Sequence, residues 1–193
     1  LLPQFYTVRE FEYDKAVDGL RQILWGLFKK VVVADNCARY ANLIFNDSSS
    51  YSGSTLFLGA VFFAFQIYGD FSGYSDMAIG LALLMGFTLT ENFNRPYLST
   101  SLQEFWRRWH ISLSTWFRDY LYIPLGGNRN GQKKTYLNLL IVMVIAGLWH
   151  GAAIGFLIWG LLHGLFLMID KLPKILKPKR NLPSVLRLMP MWF

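Results

Sequence analysis

The stretch TYLNLLIVMVIAGLW (residues 135–149) runs into His150 and on into GAAIGFLIWGLLHGLFLMI (residues 151–169). Neither flank contains Asp, Glu, Lys or Arg, and the next charged residue is Asp170. Two apolar helices meeting at an ionisable side chain is the pattern of a membrane protein with something to do at that point, because such a group is expensive to place in hydrocarbon. An imidazole held away from water stays neutral and can accept a proton, so His150 is a candidate general base. The competing reading is a histidine hydrogen-bonded between packed helices.

Composition agrees with a membrane environment. Apolar residues make up 53% of the 193-residue chain and charged residues only 16%, below the roughly 25% usual in soluble domains. Mean hydropathy is +0.29. Aromatics reach 17%, and Trp and Tyr favour bilayer interfaces. The net charge of +7 would raise the question of nucleic acid in a soluble protein. Here Lys and Arg fall beside apolar stretches, as in cytoplasmic loops, so membrane lipid is the expected partner and nucleic acid is not. The single cysteine, Cys37, excludes an intrachain disulfide and any multi-cysteine metal site.

Outward from His150, the chain alternates apolar and polar segments. Residues 17–34 are apolar but interrupted by Arg21, Lys29 and Lys30, which fits an interfacial helix or one whose lysines reach back to the headgroups. Residues 54–68 and 75–87 are apolar and joined by GDFSGY (residues 69–74), predicting two short spans or one broken helix. Asp70 and Asp76 would then lie in or near the membrane and need partners; capping a break is the expected role. Residues 104–122 predict one amphipathic, surface-lying or re-entrant helix. Trp106, Trp109, Leu113, Trp116, Phe117 and Tyr120 share one face, Arg107, Ser114 and Arg118 another, and His110 sits on the border.

Charge predicts a topology in which the Arg107–Lys134 region and the Lys171–Arg180 tail are both cytoplasmic. Residues 135–149 then cross outward, the next segment returns, and His150 lies at depth toward the outer side. Gly147, Gly151, Gly155, Gly160 and Gly164 recur at spacings that let helices pack closely. His150 and His163 are 13 residues apart, about 220° on one continuous helix, and would not share a site unless that helix breaks. No carboxylate lies close in sequence to complete a histidine–carboxylate metal site, so no metal is expected. The chain has no phosphate-binding loop, zinc helix or nucleophile elbow. A buried His with a second His beside Arg and Trp suits general-base activation of a hydroxyl, with arginines nearby to position a polar donor or stabilise an oxyanion.

The run EFWRRWHISLSTWFRDYLYIPLGGNR (residues 104–129) resembles the signature of the membrane-bound O-acyltransferase (MBOAT) family. GLWHGA (147–152), WGLLHG (159–164) and GLFKKVVVAD (26–35) resemble the same family and occur in its order. The segment IPLGGNR (123–129) is similar to the branch that O-acetylates bacterial alginate; D-alanyl transfer proteins of teichoic acids share the Arg-Trp-His and Trp-His-Gly parts but usually not that tail.

The resemblance implies an all-α, polytopic transmembrane protein of the cell inner membrane, with residues 1–193 the central part of one membrane domain and further spans before and after. It implies that His150 is the catalytic histidine and His110 the second signature histidine. His163 matches a third family position without an assigned role. Arg107, Arg108, Trp149 and Asn128 are the candidate substrate-binding residues. The reaction implied is acetyl transfer from a cytoplasmic thioester, acetyl-CoA foremost, toward hydroxyls of alginate, another exopolysaccharide or peptidoglycan, with His150 as base or transient acyl carrier. No bound cofactor is expected. A separate periplasmic acetyltransferase or polysaccharide-synthesis protein is the expected partner. D-alanyl transfer and a non-enzymatic channel or scaffold remain as alternatives.

Overall fold

The computed structural model describes residues 2–171, so residues 172–180 of the expected cytoplasmic tail lie outside the described residues. Every regular element among them is helical: α1 (Leu2–Phe5), α2 (Tyr13–Leu27), α3 (Asp35–Asn46), α4 (Gly53–Leu84), α5 (Leu102–Arg108), α6 (Ile111–Phe117), α7 (Gly131–His150) and α8 (Ile154–Asp170), with short 3-10 and π-helical pieces between. The chain divides into two compact units, Leu1–Glu91 and Asn92–Phe193.

In the first unit, α2 passes through a π-helical stretch, Phe28–Ala34, directly into α3. The resulting rod packs against α4, which is capped by Ser52 accepting from the Thr55 amide. At 32 residues α4 is about 48 Å long. Among the described residues it is the helix long and apolar enough to cross a membrane by length and composition. The expected break at residues 69–74 is absent. Gly69 and Gly73 are instead where the rod comes closest: a Cβ on Gly73 would stand 2.7 Å from the Gly26 carbonyl, and one on Gly69 3.0 Å from Ala34 Cβ. Helices with small residues at such points approach backbone to backbone.

That closeness supplies partners for the two aspartates. Lys29 pairs with Asp76, with both side chains largely buried, and Gln22 Nε2 donates to the other Asp76 oxygen at 2.9 Å. Lys30 Nζ reaches both Asp70 and Asp35 at 2.7 Å. Lys29 therefore turns inward onto Asp76, Lys30 bridges two carboxylates while staying 43% exposed, and the aspartates pair with lysines instead of capping a break. In a medium of low dielectric, a charge withdrawn from water needs a counter-charge in contact.

In the second unit, α7 and α8 form an antiparallel hairpin. A Cβ on Gly147 would strike the Phe156 carbonyl, one on Gly160 the Met143 carbonyl, and one on Gly164 would lie 2.8 Å from Leu140 Cδ1. These three glycines pack as the spacing predicts. Gly155, by contrast, faces open space, and Gly151 makes the turn with φ 153° and ψ 160°, a region only glycine occupies readily. Helix α7 starts at Gly131, so Lys133 and Lys134 sit in its first turn instead of in a loop.

The expected single helix over residues 104–122 is broken. Helix α5 ends at Arg108, His110 takes a left-handed conformation (φ 44°, ψ 55°), and α6 restarts at Ile111. The break is held from outside: the Asn94 amide donates to Arg108 O and the Ile111 amide to Asn92 O, both at 2.9 Å. Periodicity cannot reveal a competing partner many residues upstream. Ser101 caps α5 by accepting from the Glu104 amide at 3.1 Å, while Glu104 accepts from Thr100 and from Arg108. Leu102, Phe105, Met143 and Leu167 form the buried cluster, with Tyr97, Trp106, Trp109 and Trp159 packed around it.

Candidate active site

Helix α5 is fastened to the far end of α8 by the Gln103 amide donating to Asp170 Oδ2 at 3.2 Å. From there it runs along α8 toward the α7–α8 turn, and this places His110 near the tip of the hairpin. A chain of ring contacts follows the same path. His110 meets Trp149 at 6.1 Å, Trp149 meets His150 at 5.1 Å, and His150 meets Trp159 at 5.4 Å, all edge-on. Trp159 then contacts His163 at 4.4 Å, and Trp106 closes the series against His163 at 5.4 Å and Trp159 at 5.7 Å. All three histidines thus line one aromatic wall. Breaking the helix at Gly151 is what allows His150 and His163 to do so.

His150 is the last residue of α7, its ring stacked on Phe156 at 5.7 Å and 25°. Within this chain its side chain is exposed rather than covered by other residues. Its place as the last residue of the helix, before the Gly151 turn, accounts for that exposure. Trp149 is 57% exposed and bridges the two signature histidines.

His110 is fixed more tightly. Its Nδ1 is 3.2 Å from Asn92 Oδ1, which also accepts from the Ser112 amide at 3.1 Å and the Ser112 hydroxyl at 3.0 Å. The Ser112 N–H can only donate, so the Asn92 atom there is the carbonyl oxygen, and the imidazole proton belongs on Nδ1. Nε2 is then the basic nitrogen. Burial, with His150 contributing second, pushes the His110 imidazole below its ordinary range and favours the neutral form.

Of the other candidates, Arg107 and Asn128 lie toward Lys171, at the opposite end. Arg108 is taken up by Glu104 at 2.6 Å. Arg107 is exposed and close enough to Lys171 to help lower the lysine's affinity for its proton, burial being the larger cause. Asn128 accepts from the Tyr122 hydroxyl and, at 3.2 Å, from Lys171 Nζ. It precedes the start of α7 while His150 ends it, and a 20-residue helix is about 30 Å long; Asn128 is therefore not brought to His150. Sequence reasoning missed Asn92, Trp106 and Trp159. Trp106 reads in the sequence as one of an apolar face, and nothing in the spacing of Asn92 points to His110.

The MBOAT, membrane-bound O-acyltransferase family profile matches residues 13–193. The chain is 50% identical to the probable alginate O-acetylase AlgI of Azotobacter vinelandii, over 100% of this chain and 39% of that protein. It is 46% identical to a peptidoglycan O-acetyltransferase of Helicobacter pylori, over 89% of this chain and 33% of the relative. It is 29% identical to a teichoic acid D-alanyltransferase of Bacillus subtilis, over 84% and 42%. The chain spans about two fifths or less of the length of the first two. On the profile match and these identities, the chain belongs to the membrane-bound O-acyltransferase family, in its AlgI-like branch.

Proposed function

We propose that the protein is a multi-pass inner-membrane O-acyltransferase that moves an acetyl group from a cytoplasmic thioester, acetyl-CoA, toward hydroxyls of an extracytoplasmic polysaccharide such as alginate. The observation that carries this reading is the meeting of His110 and His150 across Trp149 at the hairpin tip. The names of the relatives, O-acetylases of alginate and peptidoglycan at 46–50% identity, support acetyl as the group and a polysaccharide as the acceptor.

In this reading the acceptor hydroxyl gives its proton to His150 as its oxygen bonds the acetyl carbon. The carbon–sulfur bond breaks, and the leaving thiolate takes the proton back from the imidazolium. A positioned base of this kind contributes typically 10²–10⁴-fold. His110, neutral and oriented by Asn92, positions the reacting group from the other side of Trp149. Arg107 and Lys171 attract the phosphate-bearing donor at the cytoplasmic end, with Asn128 holding Lys171 in place. A separate periplasmic acetyltransferase or polysaccharide-synthesis protein receives the product.

The test is polysaccharide O-acetylation in cells carrying the full-length protein, against His150→Ala at matched membrane abundance. Loss of acetyl in the variant is the expected result; retained acetylation overturns the role of His150. D-alanyl transfer is the second reading, favoured by the 29% identical relative. Labelled acetate entering the polysaccharide separates it from the first.

A further inference from the structure

Two buried polar atoms in the aromatic wall have no hydrogen-bond partner: Trp106 Nε1 and His163 Nδ1. Their rings meet edge-on, 5.4 Å apart at 80°. Buried N–H groups are almost always satisfied, so an unpartnered pair in contact asks for a shared occupant. The indole N–H can only donate, and the imidazole Nδ1 donates in the tautomer that carries its proton there; in that tautomer one carbonyl oxygen, with two lone pairs, accepts from both. Resting on the acyltransferase reading above, we propose that Trp106 and His163 clamp an amide carbonyl in the arm of the thioester donor.

Position along the helices selects that group. His163 lies seven residues before Asp170, about 10 Å of helix rise from the Lys171 end. On the other side, Trp159 touches both His163 and His150. The clamp therefore stands between the basic end, where a donor enters, and the histidine at which its thioester reacts. His150 and His163 both touch the Trp159 ring, at 5.4 and 4.4 Å. A donor whose thioester carbonyl reaches His150 along this wall therefore passes its arm by Trp159 to Trp106 and His163. The rings of Trp106 and Trp159 supply flat walls for it. Trp106 and His163 are thus positioning residues for the donor, and their effect belongs in KM.

The experiment uses the full-length protein in membrane vesicles with two donors, S-acetyl-N-acetylcysteamine, which carries the amide, and S-ethyl thioacetate, which does not. Wild type is expected to prefer the amide donor about tenfold in kcat/KM, the worth of one good hydrogen bond. Trp106→Phe and His163→Phe keep a ring and remove the donor, and each should bring the preference close to one through a raised KM. His163→Asn restores a donor and should retain most of it. A preference absent in wild type, or unchanged in both Phe variants, overturns the clamp, as does an equal fall with both donors. His150→Ala is the separate control. If it transfers acetyl from both donors as well as wild type does, the reading of the site fails, whatever the preference of the clamp variants.

Discussion

Asn92 Oδ1 and His110 Nδ1 lie 3.2 Å apart, and the same oxygen takes the Ser112 amide. One side chain thereby sets both the left-handed break between α5 and α6 and the tautomer of the histidine at that break. Asn92→Leu should lower acetyl transfer by about tenfold, the loss of one hydrogen bond to a reacting-site residue. Asn92→Asp, which keeps the acceptor, should retain most of the rate. Equal rates for Asn92→Leu and wild type would remove the orienting role.

The pH dependence of stability follows from the same residue. The fold holds His110 below its ordinary imidazole range, chiefly by burial. As pH falls, the unfolded chain takes up the proton first, so this contribution is complete above about pH 6.5 and declines below it. Thermal midpoints of wild type and His110→Gln should therefore converge as the pH is lowered through that point. A gap that widens on acidification would contradict the sign.

Gly151 has φ 153° and ψ 160°, and a Cβ there would also stand 3.2 Å from the Phe156 ring. Gly151→Ala should cost about 1–3 kcal/mol and loosen the His150–Phe156 stack. Unfolding in detergent measures the first effect, and the tryptophan fluorescence of the aromatic wall reports the second.

Two glycines of α8 should behave oppositely despite their similar sequence surroundings. A Cβ on Gly160 would press on Val144 Cα at 3.0 Å, whereas one on Gly155 meets nothing within 4 Å. Gly160→Ala is expected to destabilise the hairpin by about 1–3 kcal/mol, and Gly155→Ala to stay within about 0.5 kcal/mol of wild type. Thermal unfolding of the two single variants decides it.

The Lys29–Asp76 pair is largely buried, with side-chain exposures of 14% and 15%. Asp76→Asn should therefore cost about 3–5 kcal/mol, because it strands an ammonium. Lys29→Met combined with Asp76→Leu should recover most of that loss. Breaking the exposed Lys15–Glu12 pair, at 55% and 57%, should change stability by less than about 1 kcal/mol. A double-mutant cycle on membrane-extracted protein compares the two pairs.

What the sequence determined by itself was local or compositional: helical class from apolar runs of helix length, the family from motifs in order, and Gly147, Gly160 and Gly164 as contact points from their spacing. What it left open was decided by tertiary structure. Residues 69–74 look like a break because Gly, Ser and Asp are poor helix formers, yet α4 continues, since Gly73 must be small to meet Gly26 and Asp70 and Asp76 find Lys30 and Lys29 there. Residues 104–122 look like one helix, yet the chain breaks at His110, since Asn92 and Asn94 claim its neighbours' backbone groups. The aromatic wall likewise depends on α5, α7 and α8 lying side by side, and His163 enters the site only because Gly151 reverses the chain. A periodic pattern reports which side a helix buries; which partner arrives at that side is a matter of packing between residues far apart in the chain.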